Sequence, residues 1–237
     1  MIKAVFLDID DTVLDFGAFV RSAMQAGFAQ FGLPAYTEDM FPVFQRINNA
    51  LWQRIERGEI TRSQLMGLRW PAIFRALGME GDGRAFELYF RSALLHSAIP
   101  VPGAEEMIPW LSRRFILCAA SNGPFAQQEY RLRQAGFLPW FHFLFISETL
   151  GVSKPEPLFF QRCLDELNSR CPPAEDAKPI LPGEILMVGD SLSSDMQGGI
   201  GSGLKTCYFN PEGRPVPGDL PLDYTITRLD QLRSILT

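Results

Sequence analysis

Residues 4–15 read AVFLDIDDTVLD, and this stretch decides how the rest of the chain is understood. A short apolar run (Ala4, Val5, Phe6, Leu7) leads straight into Asp8, Ile9, Asp10, Asp11 and Thr12. An uninterrupted apolar run of this length predicts a strand buried on both faces, as in a parallel sheet. Three carboxylates at the end of such a strand repel one another and are costly to desolvate. A divalent cation or a strong set of donors makes them tolerable. Asp8 and Asp10 are two apart, which on extended backbone puts them on one side. That spacing suits a hard, oxygen-seeking ion such as Mg2+. Taken alone, the cluster reads equally well as a solvated acidic turn.

Three later segments repeat the pattern of an apolar run ending in polar residues. Phe115, Ile116, Leu117, Cys118, Ala119 and Ala120 run into Ser121, Asn122 and Gly123. Lys154 sits in GVSKPEP, shortly after the apolar run 141–146. Ile185, Leu186, Met187 and Val188 run into Gly189, Asp190 and Ser191, with Asp195 five residues beyond Asp190. In an open α/β sheet, ligands bind outside the carboxyl ends of the strands. The topology therefore predicts that all four polar clusters meet at one edge. Singly each has an ordinary reading: Asn-Gly favours a turn, a lysine before proline is usually solvated, and Asp190 or Ser191 can cap a helix.

In order and spacing the four clusters resemble the haloacid dehalogenase superfamily, specifically its Mg2+-dependent phosphatases with an aspartate nucleophile. The DxDxT motif matches Asp8, Asp10 and Thr12; the strand-ending Ser or Thr matches Ser121; the lone Lys matches Lys154; GDxxxxD matches Gly189, Asp190 and Asp195. The resemblance covers essentially the whole chain. It implies that Asp8 forms an aspartyl-phosphate, while Asp10 protonates the leaving oxygen and then activates water. It also implies that Mg2+ is held by an Asp8 oxygen, the Asp10 carbonyl and an Asp190 carboxylate, with Asp195 acting behind them on a bound water or on Lys154. Thr12, Ser121, Asn122 and Lys154 are the expected substrate-binding residues, Ser121 and the Asn122 N–H taking phosphate oxygens. The family's dehalogenases lack the second Asp of the first motif and use no metal. Asp10, Asp190 and Asp195 are all present here, which favours phosphoryl chemistry.

The fold class that follows is α/β, a Rossmann-like parallel sheet core with an inserted all-helical cap. Between Asp15 and Ile99 the chain carries no site motif and reads as helical. Phe19, Met24, Phe28 and Phe31 recur at near-helical spacing, residues 41–55, 65–77 and 86–95 behave similarly, and Gly32, Gly58 and Gly78 mark breaks. This insertion resembles the family's C1 cap, of four or five helices, and residues 1–15 and 99–237 would form one discontinuous catalytic core around the cap 16–98. Phe16 and Gly17 then lie at the cap hinge. Phe41, Phe44 and Trp52 are candidates for stacking on a base, although an aromatic stripe at helical spacing is more often core. Residues 168–183 (NSRCPPAEDAKPILPG) read as an enlarged surface loop, and 210–222 as a second loop before a short strand near Tyr224 and a final helix.

At 237 residues and 46% hydrophobic composition the chain can bury a full core. Its net charge of −5 argues against a broad nucleic-acid surface while leaving room for a small nucleotide as substrate. No apolar run approaches the length of a membrane span, and Met1-Ile2-Lys3 opens directly into the first strand, so a cytoplasmic setting is expected. The cysteines show no CxxC spacing, and His96 and His142 stand apart from the motifs. The expected activity is metal-dependent hydrolysis of a small phosphate monoester. The Asp10-Asp11-Thr12 form, the cap size and Ser121-Asn122-Gly123 resemble the house-cleaning pyrimidine 5′-nucleotidase branch. Phosphoglycolate and sugar phosphatases are the alternatives within the class. Outside it stand a phospho-accepting receiver domain, which is about half this length, and a catalytically silent regulatory relative. Oligomeric state stays open.

Overall fold

A computed structural model describes residues 1–170 and 178–237. The chain divides into two compact units, one formed by Met1–Asp15 with Pro100–Thr237 and the other by Phe16–Ile99.

The first unit is built on a six-stranded sheet: β1 (Ala4–Leu7), β2 (Ile116–Ser121), β3 (Phe143–Ile146), β4 (Ile185–Gly189), β5 (Lys205–Phe209) and β6 (Tyr224–Ile226), in the spatial order β3-β2-β1-β4-β5-β6. Every neighbouring pair is parallel, β1 aligning Leu7 with Ala119 of β2 on one side and with Val188 of β4 on the other. Successive side chains on a strand point to opposite faces, and two separate cores result. Val5, Leu7, Leu117, Ala119, Leu186 and Val188 pack under Met107, Ile108 and Leu111. Ala4, Phe6, Cys118, Ala120, Ile185 and Met187 pack under Phe159, Phe160, Cys163 and Leu167. The sheet is covered on both sides, which is why its strands read as unbroken apolar runs.

The second unit contains α1 (Phe16–Gln30), α2 (Met40–Glu56), α3 (Arg62–Ala76) and α4 (Gly83–Leu95). Gly32, Gly58 and Gly78 take positive φ just beyond the ends of α1, α2 and α3, a backbone state that costs other residues a Cβ clash. Thr61 caps α3 reciprocally with Gln64, and Asp82 accepts from Arg84 N and Ala85 N to cap α4. The apolar faces meet in a cluster of aromatic rings (Phe19, Phe28, Phe44, Trp70, Phe74, Phe86, Phe90). Phe41 and Phe44 lie in this core, so the core reading holds for them and they offer no stacking face in solvent. Inside the unit Arg69 donates twice to Glu87, at 2.6 and 3.1 Å, and once to Asn48 at 3.1 Å, tying three helices through a buried ion pair.

The sheet unit adds α5 (Ala104–Ser112), α6 (Phe125–Gln134), α7 (Ser147–Leu150), α8 (Pro157–Arg170), α9 (Gln197–Gly201) and α10 (Leu232–Leu236). Residues 168–170 close α8 rather than opening a loop, because Asn168 exchanges two hydrogen bonds with the Ile180 backbone and anchors the helix end. Residues 171–177 of the proline-rich segment, with Cys171, lie outside the described residues. His142 is satisfied structurally, its Nδ1 accepting from Leu117 N at 3.1 Å.

Candidate active site

The strand order reverses at β1: β2 and β3 extend the sheet one way, β4 to β6 the other. Ligand sites in such sheets form where the order switches, at the carboxyl ends of the strands. Asp8 follows β1 and Asp190 follows β4, so the register of two adjacent strands sets the two carboxylates side by side. Asp8 N donates to Val188 O at 2.9 Å, continuing the ladder one residue past the strand.

Lys154 organises this edge. Its side chain is buried, and Nζ donates to Asp8 Oδ1 at 2.6 Å, Asp195 Oδ1 at 2.6 Å and Ala120 O at 2.5 Å. An ammonium has three protons, and each has an acceptor here. The loop that carries Lys154 is fixed by Asn122, whose side-chain amide donates to Lys154 O and accepts from Lys154 N, at 2.8 and 2.9 Å. Asn122 thus gives its side chain to the lysine loop, leaving its main-chain N–H as the group it can offer a ligand. Asp195 is placed by a wide, π-type turn over Leu192–Met196, capped by Ser191, and its second oxygen accepts from Ser191 N at 3.1 Å. A Cβ at Gly189 would overlap the Asp195 carboxylate, so only glycine fits at that point.

One carboxylate oxygen from each of Asp8, Asp190 and Asp195 lies within 4.8 Å of the other two. Burial raises the Asp8 carboxyl to about 8; Lys154 pulls it down and Asp195 and Asp10 push it up. Asp190 is likewise raised well above the ordinary range, first by burial and then by Asp11, Asp8 and Asp195. For Lys154 burial opposes the charge, but Asp195 and Asp8 outweigh it and hold its pKa above the usual lysine value. A single ammonium therefore faces three carboxylates. Crowded hard oxygen donors with excess negative charge are the donor set that a divalent cation such as Mg2+ takes.

β1 ends at Leu7, and Asp11 adopts a left-handed φ of 58° within a tight turn in which Asp11 N donates to Leu14 O. The Asp10 carboxylate is held from α6, where Arg131 Nη1 donates to Oδ1 at 2.6 Å and Gln128 Nε2 to Oδ2 at 2.7 Å. Gln128 Nε2 also lies 3.1 Å from Ser121 Oγ, which accepts from Gly123 N at 3.0 Å. Ser121 thus receives two hydrogen bonds and keeps its own proton to donate elsewhere. Thr12 is fully buried, and its Oγ1 has no hydrogen-bond partner among the described residues, so it presents nothing to a ligand in solvent. Sequence reasoning missed Gln128 and Arg131. Their spacing of three is the only signal, and it is common to any polar helix face.

Comparison with known proteins agrees with this edge. Residues 2–203 match the family model of the haloacid dehalogenase-like hydrolases. The chain is 34% identical to the HAD-hydrolase YfnB of Bacillus subtilis over 99% of its length and 95% of YfnB. The crystal structure of YfnB with bound magnesium superposes with a TM-score of 0.85, covering 100% of this chain and 99% of that one. Similarity extends to the pyrimidine 5′-nucleotidases PynA of Streptococcus pneumoniae (32% identical, 88% of this chain and 84% of PynA) and YjjG of Escherichia coli (30%, 98% and 96%). Four strand-end clusters converging on one edge, and a family model spanning most of the chain, lead to one conclusion: this protein belongs to the haloacid dehalogenase-like hydrolases.

Proposed function

We propose that the protein is a metal-dependent phosphatase that hydrolyses small phosphate monoesters through an aspartyl-phosphate on Asp8, with pyrimidine nucleoside 5′-monophosphates the favoured substrates. The observation that carries this reading is Lys154 fixed by three hydrogen bonds beside Asp8, with Asp190 and Asp195 crowding the same point. Lys154 offsets the repulsion between a carboxylate nucleophile and a phosphate dianion, and Ser121 and the Asn122 N–H receive the phosphoryl oxygens. Asp8 displaces the alcohol, which takes the proton carried by Asp10. Water then attacks phosphorus, gives a proton back to Asp10, and releases Asp8 as a carboxylate.

Asp8 and Asp190, with the main-chain carbonyl of Asp10, would hold Mg2+; Asp195, already bonded to Lys154 and Ser191 N, acts by orienting the lysine. When bound, the ion neutralises phosphoryl charge and aligns the two reacting oxygens. The helical unit Phe16–Ile99 is assigned the role of cap, selecting the leaving group, and the sheet unit that of the catalytic core. The names of PynA and YjjG support the pyrimidine nucleotide choice. Phosphoglycolate and sugar phosphates stand behind it. The acidic balance of the chain supports a small-molecule rather than polymeric substrate, and a cytoplasmic setting completes the reading. No helix among the described residues is long and apolar enough to cross a membrane.

The test is phosphate release from UMP, dUMP, dTMP, AMP, phosphoglycolate, sugar phosphates and an aryl phosphate with Mg2+. Release that disappears with EDTA and in Asp8→Asn, and is fastest on a pyrimidine nucleotide, is the expected result. Absence of turnover on every ester, with metal and phosphate analogue still bound, moves the assignment to a silent or phospho-accepting protein.

A further inference from the structure

The inner face of α6 carries a polar network that the proposed chemistry does not use directly. Gln128 and Arg131 are three apart on one helical face, and both are buried, at 0% and 1% exposure. Arg131 Nη1 donates to Asp10 Oδ1 at 2.6 Å and to Gln128 Oε1 at 3.1 Å. Because a guanidinium only donates, it fixes which end of the Gln128 amide is oxygen. The amide nitrogen is thereby aimed at Asp10 Oδ2 (2.7 Å) and Ser121 Oγ (3.1 Å). Gly123 makes room for this: a Cβ there would overlap the Gln128 amide. Buried polar groups are arranged this completely only at a cost in desolvation, which an apolar face on α6 would avoid.

We infer that Gln128 and Arg131 are positioning residues that hold Asp10 and Ser121 in one rigid frame, and that the step most dependent on them is hydrolysis of phosphorylated Asp8. Both Asp10 oxygens accept hydrogen bonds from α6, an arrangement matched to the carboxylate that takes a proton from water. In that step water forms a bond to phosphorus, the bond from phosphorus to Asp8 oxygen breaks with its electron pair going to Asp8, and the water proton passes to Asp10. A misplacement of about 1 Å in such a group lowers the rate about 10²-fold. The inference rests on the phosphatase reading above.

The experiment uses 4-nitrophenyl phosphate, whose activated phenolate departs without protonation, so that the first step is insulated from Asp10. Rapid-quench kinetics are compared for the wild type, Arg131→Gln, Arg131→Lys and Gln128→Ala. Arg131→Gln and Gln128→Ala are expected to lower kcat by about 10²-fold with a rapid first burst of aryl alcohol and accumulation of protein-bound phosphate. Arg131→Lys, which retains a donor and the charge, recovers part of the rate. Slowing of both phases together without accumulation, or kcat unchanged in folded Gln128→Ala, overturns the inference while leaving the phosphatase reading intact. Failure of the wild type to turn over any ester removes the phosphatase reading itself. Should Arg131→Gln not fold, Gln128→Ala and Arg131→Lys carry the same comparison.

Discussion

At the residue scale the site is an argument about charge. Lys154 is the cation that lets Asp8 and Asp195 lie close together with little solvent, at 1%, 13% and 1% side-chain exposure. Removing one member of a buried ion pair costs about 3–5 kcal/mol, since the partner is left uncompensated. Lys154→Met is therefore expected to destabilise the metal-free protein by about that amount in urea unfolding and to abolish phosphate release; a loss below about 1 kcal/mol contradicts the assignment. The same crowding sets a pH dependence. Asp8 is raised from 3.8 to about 8, so across that window the folded metal-free protein holds more protons than the unfolded chain, and its stability falls as pH rises. A cation replaces those protons. The rise in Tm on adding MgCl2 should be larger at about pH 8.5 than at about pH 6, and an equal rise at both contradicts the proton-metal competition. Thr12 supplies a smaller test: its buried, unpartnered hydroxyl costs about 1–3 kcal/mol, so Thr12→Val should raise stability in urea.

At the scale of elements, what the sequence discloses depends on which face an element hides. Asp8, Ser121, Lys154 and Asp190 were legible because each closes an apolar run or follows one closely, and strand ends converge by topology. Gln128 and Arg131 were not, because α6 reads FAQQEYRLRQ and nothing in that string separates its inward polar residues from solvent-facing Arg133 and Gln134. Asp10 was legible as part of the acidic cluster, but its partners on α6 were not. Gly123 ties the strand-end turn to α6, so Gly123→Ala, which pushes on Gln128 without deleting it, should reproduce the kcat loss of Gln128→Ala while KM changes little. In the helical unit, the glycine breaks and aromatic spacing gave the helices, but the Arg69-Glu87-Asn48 bridge needed the fold. Burial raises Glu87 while Arg69 opposes the shift. Glu87→Leu is expected to cost about 3–5 kcal/mol, and Arg69→Met with Glu87→Leu less than the sum of the two; additivity in this double-mutant cycle contradicts the coupling.

At the scale of the whole molecule, a parallel sheet with its switch at β1 explains why residues spread from Asp8 to Asp195 share one edge. The parallel sheet was readable from apolar runs; the order β3-β2-β1-β4-β5-β6 was not, because single strands buried on both faces carry no record of their neighbours. The central claim is that this edge transfers phosphate to Asp8. Its most direct test is acid quench of the Asp10→Asn protein, which lacks the group that activates water, during turnover of an aryl phosphate with Mg2+, followed by peptide mass spectrometry. The expected result is the mass of one phosphoryl group on the peptide that carries Asp8, absent in the Asp8→Asn background and in EDTA. Turnover with no phosphorylated peptide, or phosphate carried on another residue, contradicts it.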